Sequence, residues 1–300
     1  MRVIVGLISV SILLVVIGLL SERLWSDKLL SPLAENEKSL IYPATSTSDT
    51  HRTGPLVTFG DLIATVPSTS VLAVQARSPK VKSAERSVKI VLLGDSMTES
   101  LGHAPVLVTT LKDTYPSYQF EIINYGVGST NIDYALERVR NGYTYKTKHF
   151  PSLIELRPDI VIVESFAYNQ YGTGPETVES YRRKLIDIVH SLQWYAGARV
   201  LIMATLAPDA TNYAKGVLEL GPSKRAEIVA EKKLYLYTAL VVGNELGVPN
   251  IDAFGSSLGN NGNGRPELTE DETNIHPSPQ GTVFLQEIMA KSLIDSHILD

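Results

Sequence analysis

Apart from Lys89, residues 88–93 form an apolar run that begins soon after a polar, Ser/Lys/Arg-rich segment and stops at Gly94. A short run of this kind, without polar alternation, reads as a β-strand covered on both faces. Such a strand demands helices on two sides of its sheet. Comparable runs return at residues 120–124, 159–164, 198–206 and 248–251. Between them, residues 104–115, 131–139, 174–194 and 222–246 read as helices, and a last helical stretch follows Gly281. Strands alternating with helices at this spacing imply parallel pairing through right-handed crossovers. The predicted fold is therefore α/β, a three-layer α/β/α sandwich around a five-stranded parallel sheet.

In open α/β sheets ligands bind outside the carboxyl ends of the strands. Gly94-Asp95-Ser96 is the turn at that end of the first run, so the Ser96 hydroxyl is a candidate nucleophile. The competing reading is that Asp95 and Ser96 only cap the following helix. A serine hydroxyl is weak at neutral pH and needs a base within hydrogen-bond reach. His276, in a polar loop directly before Pro277, is the candidate base. His190 falls in the 174–194 helix and reads as a surface histidine. Gly255-Ser256-Ser257-Leu258-Gly259 matches a nucleophile elbow, but the Asn/Gly-rich run after it cannot be the helix an elbow requires.

Gly94-Asp95-Ser96 near the start of a domain and His276-Pro277 near its end resemble the SGNH/GDSL hydrolases, from about residue 88 to the C-terminus. The resemblance implies a flavodoxin-like sheet and a serine esterase or lipase activity that needs no metal or cofactor. It also implies an oxyanion hole built from the Ser96 N–H, a glycine N–H of a second block and an asparagine side chain of a third. In Asn124-Tyr125-Gly126-Val127-Gly128-Ser129-Thr130 the spacing is one residue short. Matching Gly-x-Thr selects Gly128, and matching the Asn-x-Gly start points to Gly126. Asn169 fits the third block, although Ala167 and Gln170 stand where the family has Gly and Asp. The family's acid lies three residues before the histidine, and that position here is Thr273. Asp271, with Glu272 beside it, is the candidate acid; a Ser96–His276 dyad is the alternative.

Location is read from the other end. Residues 3–20 are uncharged and almost entirely Val, Ile, Leu, Gly and Ser, about the length of a membrane-crossing helix. No small-residue cleavage pattern follows, so residues 1–24 are predicted as an uncleaved signal anchor, with Trp25 at the interface. Residues 25–86, rich in Ser, Thr and Pro, read as a tether to a domain over residues 87–300. The two residues ahead of the apolar stretch carry almost nothing to retain, which places that domain outside the cytoplasmic membrane. Net charge is −5 with no basic block, which argues against a nucleic-acid partner. Cysteine is absent, excluding a disulfide framework, Cys-ligated zinc and a thiol nucleophile. The expectation is a membrane-anchored extracytoplasmic esterase acting on O-acyl or O-acetyl esters of a small molecule, glycan or lipid. An acyltransferase, or an SGNH-fold binding module without activity, are the alternatives.

Overall fold

The computed structural model describes residues 86–269 and 272–300. Five strands form the sheet: β1 (Arg86–Gly94), β2 (Tyr118–Gly126), β3 (Ile160–Glu164), β4 (Arg199–Ala204) and β5 (Asn250–Asp252). All neighbours are parallel, in the order β2-β1-β3-β4-β5. That is the flavodoxin-like order, with its switch point between β1 and β3.

The period of two along the strands sorts the core into two faces. Val91, Leu93, Val161, Val163, Val200 and Ile202 meet α3 (Ile132–Arg140), α5 (Pro175–Ser191) and α6 (Pro222–Leu246). Ile90, Leu92, Ile160, Ile162, Leu201 and Met203 meet α2 (Pro105–Thr114) and α8 (Pro279–Asp295). Three layers result. The shorter helices are α1 (Ser96–Glu99), α4 (Leu153–Leu156) and α7 (Ala253–Ser256).

The direction of α8 fixes which edge carries His276. Just beyond its end, the Leu299 carbonyl accepts from Tyr118 Oη at 3.2 Å, and Arg199 donates to the Ile298 carbonyl. Tyr118 and Arg199 begin β2 and β4, so α8 runs antiparallel to the strands. Its 17 residues span about 25 Å. Its start, and His276 before it, therefore lie at the carboxyl edge of the sheet.

Two details depart from the expected elements. The Tyr/Lys-rich segment before Pro151, outside the strands and helices read from the sequence, is an antiparallel hairpin of Tyr143–Tyr145 with Lys148–Phe150. Its aromatic residues supply the reason, because Tyr143 stacks on Phe150 and both pack edge-on to Tyr125. The helix expected through Trp194 ends as α5 at Ser191 and continues as a π turn over Leu192–Ala196, where Trp194 stacks on His190. The predicted signal anchor at residues 1–24 lies outside the described residues, as does the tether predicted over 25–86 except for Arg86, which already belongs to β1. Among the described residues no helix is long and apolar enough to cross a membrane.

Candidate active site

Two glycines let α1 settle on the ends of β1 and β2. Gly94 and Gly126 pair across the strands. A Cβ on Gly126 would lie 2.2 Å from the Glu99 backbone nitrogen, so only glycine allows this approach. Ser96 opens α1, and the Asp95 carboxylate does cap it, accepting from Met97 N–H at 2.8 Å. Capping by Asp95 thus leaves the Ser96 hydroxyl at the edge of the sheet. The Ser96 hydroxyl is half-buried and makes no hydrogen bond among the described residues.

Beneath Ser96 lies a charged cluster with no exposure to speak of. Asp95 and Glu164 are each 0 % exposed, and Arg138 is 4 % exposed. The other Asp95 oxygen accepts from the Asn169 amide at 2.8 Å, while the Asp95 N–H donates to Glu164 Oε2 at 3.3 Å. Glu164 Oε1 accepts from the Ser165 hydroxyl at 2.8 Å and from the Phe166 N–H at 2.9 Å. Arg138 Nη1 donates to the carbonyls of Gly94 and Tyr125, and its Nη2 to Thr130 Oγ1. Burial raises the pKa of both carboxyls, and repulsion by Asp95 pushes Glu164 well above the carboxylate range. Asp95 is the better-supported anion, since Met97, Asn169 and the field of Arg138 favour its charge. Repulsion between the two favours one retained proton, and the larger upward shift falls on Glu164.

Gly128 stands beside Ser96: a Cβ built on it would be 3.9 Å from Ser96 Cβ. The two glycine N–H groups have different acceptors. The Gly126 N–H donates to Asn124 Oδ1 at 2.7 Å. The Gly128 N–H is at the site, where it donates to Glu99 Oε2 at 2.8 Å. Asn169 ends a 3-10 turn, Ala167–Asn169, and is tied through Asp95 to the nucleophile turn. Lys232 of α6, 1 % exposed, donates to the neighbouring Gln170 carbonyl at 2.5 Å and so pins this loop from below.

His276 reaches the same edge from the other side. Its Nδ1 lies 3.3 Å from Thr273 Oγ1, which also accepts from the Ile275 N–H at 3.3 Å. The position read as a lost acid is therefore filled by a hydroxyl on the outer ring nitrogen. No hydrogen bond joins His276 to the Ser96 hydroxyl. Asp271 lies outside the described residues. The elbow-like Ser257 is structural: it is 1 % exposed, accepts from the Ala207 N–H at 2.8 Å and donates to the Phe254 carbonyl at 3.0 Å.

Sequence reasoning passed over Glu164, Arg138 and Glu99. Glu164 had a usable signal, being a carboxylate at the end of a wholly apolar run, where burial without a partner is prohibitive. A cleft of about 550 Å³ opens between the loops after β4 and β5, lined by Asp209, Thr211, Asn212, Asn260, Asn261 and Arg265 among others. None of the four residues Ser96, Gly128, Asn169 and His276 lines it.

No family model and no curated protein matches the sequence. Solved structures do. A lipase/acylhydrolase from Enterococcus faecalis is 21 % identical over 70 % of this chain and 96 % of its own, with a TM-score of 0.51. A GDSL-like lipase from Bacteroides thetaiotaomicron is 16 % identical over 69 % of this chain and 88 % of its own, with a TM-score of 0.48. At these identities the likeness concerns the fold. With its parallel sheet in flavodoxin-like order and Gly94-Asp95-Ser96 at the end of β1, the chain has the fold of the SGNH/GDSL hydrolases.

Proposed function

We propose that the chain is a serine esterase that hydrolyses O-acyl, and in particular O-acetyl, esters through a covalent acyl-enzyme. The observation that carries this reading is the Ser96 hydroxyl, half-buried and unbonded at the strand edge, with Gly128 against its Cβ. His276 Nε2 takes the hydroxyl proton as Oγ attacks the acyl carbon. The oxyanion meets the N–H groups of Ser96 and Gly128 and the Asn169 amide, each such donor being worth about 10² to 10³ in rate. Collapse breaks the ester C–O bond, and the alcohol leaves with the proton from the imidazolium. Water repeats the sequence and releases the acid. For His276 to accept at Nε2, Nδ1 must carry the proton, and Thr273 Oγ1 is placed to receive it. Asp271 is the other group assigned to this orienting role. Closing of the gap between His276 and Ser96 belongs to the substrate complex, where catalytic hydrogen bonds commonly tighten.

The apolar stretch at residues 3–20 supports a membrane-anchored, extracytoplasmic enzyme, and with it an ester of an envelope glycan or lipid as substrate. A sugar hydroxyl intercepting the acyl-enzyme would make the same site an acyltransferase. A second reading, a binding module without activity, is favoured by the hydroxyl of Thr273 where the family has an acid. A fluorophosphonate probe and p-nitrophenyl acetate separate the two. The esterase reading expects labelling and turnover that Ser96→Ala abolishes; an unlabelled, inactive folded protein establishes the binding module instead.

A further inference from the structure

Glu99 has no part in the scheme above, yet its carboxylate stands inside it. Three residues after Ser96 on α1, it shares that helix face, and its Oε2 takes the Gly128 N–H at 2.8 Å. From the Cβ position built on Gly128, Glu99 Oε2 is 3.0 Å away and Ser96 Cβ 3.9 Å. Carboxylate and nucleophile thus crowd one amide. The hairpin tip secures the carboxylate: Tyr145 Oη lies 3.1 and 3.2 Å from its two oxygens, and Lys146 Nζ lies 2.6 Å from Oε1. The tip is itself a costly conformation. Lys146 and Thr147 both have positive φ, 46° and 68°, in a two-residue turn that normally selects Asn-Gly. A β-branched residue held left-handed persists only where its surroundings over-determine it.

We propose that Glu99 is an internal occupant of the oxyanion hole, clamped there by Tyr145 and Lys146, and that it governs access of the ester carbonyl to the Gly128 N–H. This rests on the serine-esterase reading of the same site. An N–H donating at 2.8 Å to a carboxylate is in a charge-assisted bond, roughly twice as strong as one to a neutral carbonyl. An ester oxygen must displace it. A carboxylate that stayed close would also oppose the negative charge growing on that oxygen. The hairpin tip therefore sets how often the hole is open.

The test uses the full chain in detergent, with p-nitrophenyl acetate as substrate and selectively ¹⁵N-glycine-labelled protein for NMR. Glu99→Ala raises kcat/KM roughly tenfold or more, within the 10² to 10³ that one donor supplies. Tyr145→Phe and Lys146→Met raise it by less, in the same direction. An unchanged or lower kcat/KM in a folded Glu99→Ala protein overturns the proposal; if that variant does not fold, the two clamp variants decide by the same criterion. Ser96→Ala in the wild-type and Glu99→Ala backgrounds tests the esterase reading separately. Should hydrolysis survive it, that reading falls, and the Gly128 amide proton still reports on Glu99. Its resonance moves upfield on Glu99→Ala if the carboxylate occupies the hole, and an unmoved resonance refutes occupancy.

Discussion

The turn that carries Ser96 and the loop that carries His276 reach the same edge of the sheet but are held there differently. Around Ser96, the polar contacts lie among groups with almost no exposure: the Asp95 N–H donates to Glu164, and Arg138 donates to the Gly94 and Tyr125 carbonyls. Around His276, residues 272–276 are exposed or half-exposed. Three of their side-chain bonds, Asn274 to the Lys215 carbonyl, Ile275 N–H to Thr273 and Thr273 to His276, are each 3.3 Å, beyond the usual range. The turn of Ser96 rests on a buried polar cluster, and His276 sits in a half-exposed loop. Damage to the buried cluster beneath Ser96 should therefore appear as lost stability, and change in the His276 loop as altered rate.

The largest effects fall on the nucleophile turn. Ser96→Ala lowers ester hydrolysis by on the order of 10³ or more, with the urea midpoint unchanged. Arg138→Met leaves the Gly94 and Tyr125 carbonyls without their buried donor and should cost roughly 1–3 kcal/mol in urea unfolding. Glu272→Ala, exposed in the opposite region, should cost under about 0.5 kcal/mol. Equal costs for those two variants would break the comparison.

Next in size is the base. Thr273→Asp puts a carboxylate at the outer nitrogen of His276, where the family pattern has its acid. A correctly orienting acid is worth up to about 10⁴ in the serine-protease template, and a rise in kcat of roughly tenfold is expected here, in a half-exposed loop. No rise, in a folded variant, would mean that the orienting contact is already supplied, with Asp271 the first residue to replace.

These regions also differ in how far they could be read beforehand. The strands were legible because burial on both faces leaves apolar runs, and the helix of Pro222–Leu246 because Pro222 opens it and Gly247 closes it. Ser96 and His276 were legible as a motif, since the chemistry restricts residue type. The hairpin over Tyr143–Phe150 was not, because Tyr, Thr and Lys alternate there without an apolar face until Tyr125 supplies one from another strand. The cluster of Asp95, Glu164 and Arg138 joins residues far apart in sequence, and only the crossover topology brings them together. Glu99 was hidden for a simpler reason. A glutamate in the first turn of a helix is ordinary, and nothing local says that its oxygens will find an amide 29 residues away.

The smallest effect contrasts two carboxylates of this site through pH. Burial and the neighbouring Asp95 raise the pKa of Glu164, so the folded state holds a proton that the unfolded chain releases above its ordinary value of 4.5. Stability from this group is complete below that pH and is lost as pH rises toward the folded value. Glu99 has the opposite sign. Its burial would raise the pKa, but the bonds from Lys146, the Gly128 N–H and Tyr145 outweigh that and lower it, so its contribution disappears as pH falls below 4.5. Glutamine mimics the protonated form of Glu164, so Glu164→Gln should leave the fold intact and flatten the decline of stability above pH 4.5, a slope of about 1.4 kcal/mol per pH step for one retained proton. Glu99→Gln should leave that limb alone and flatten only the acid side. Urea midpoints measured across pH separate the two, and a Glu164→Gln profile parallel to wild type would place the shared proton elsewhere.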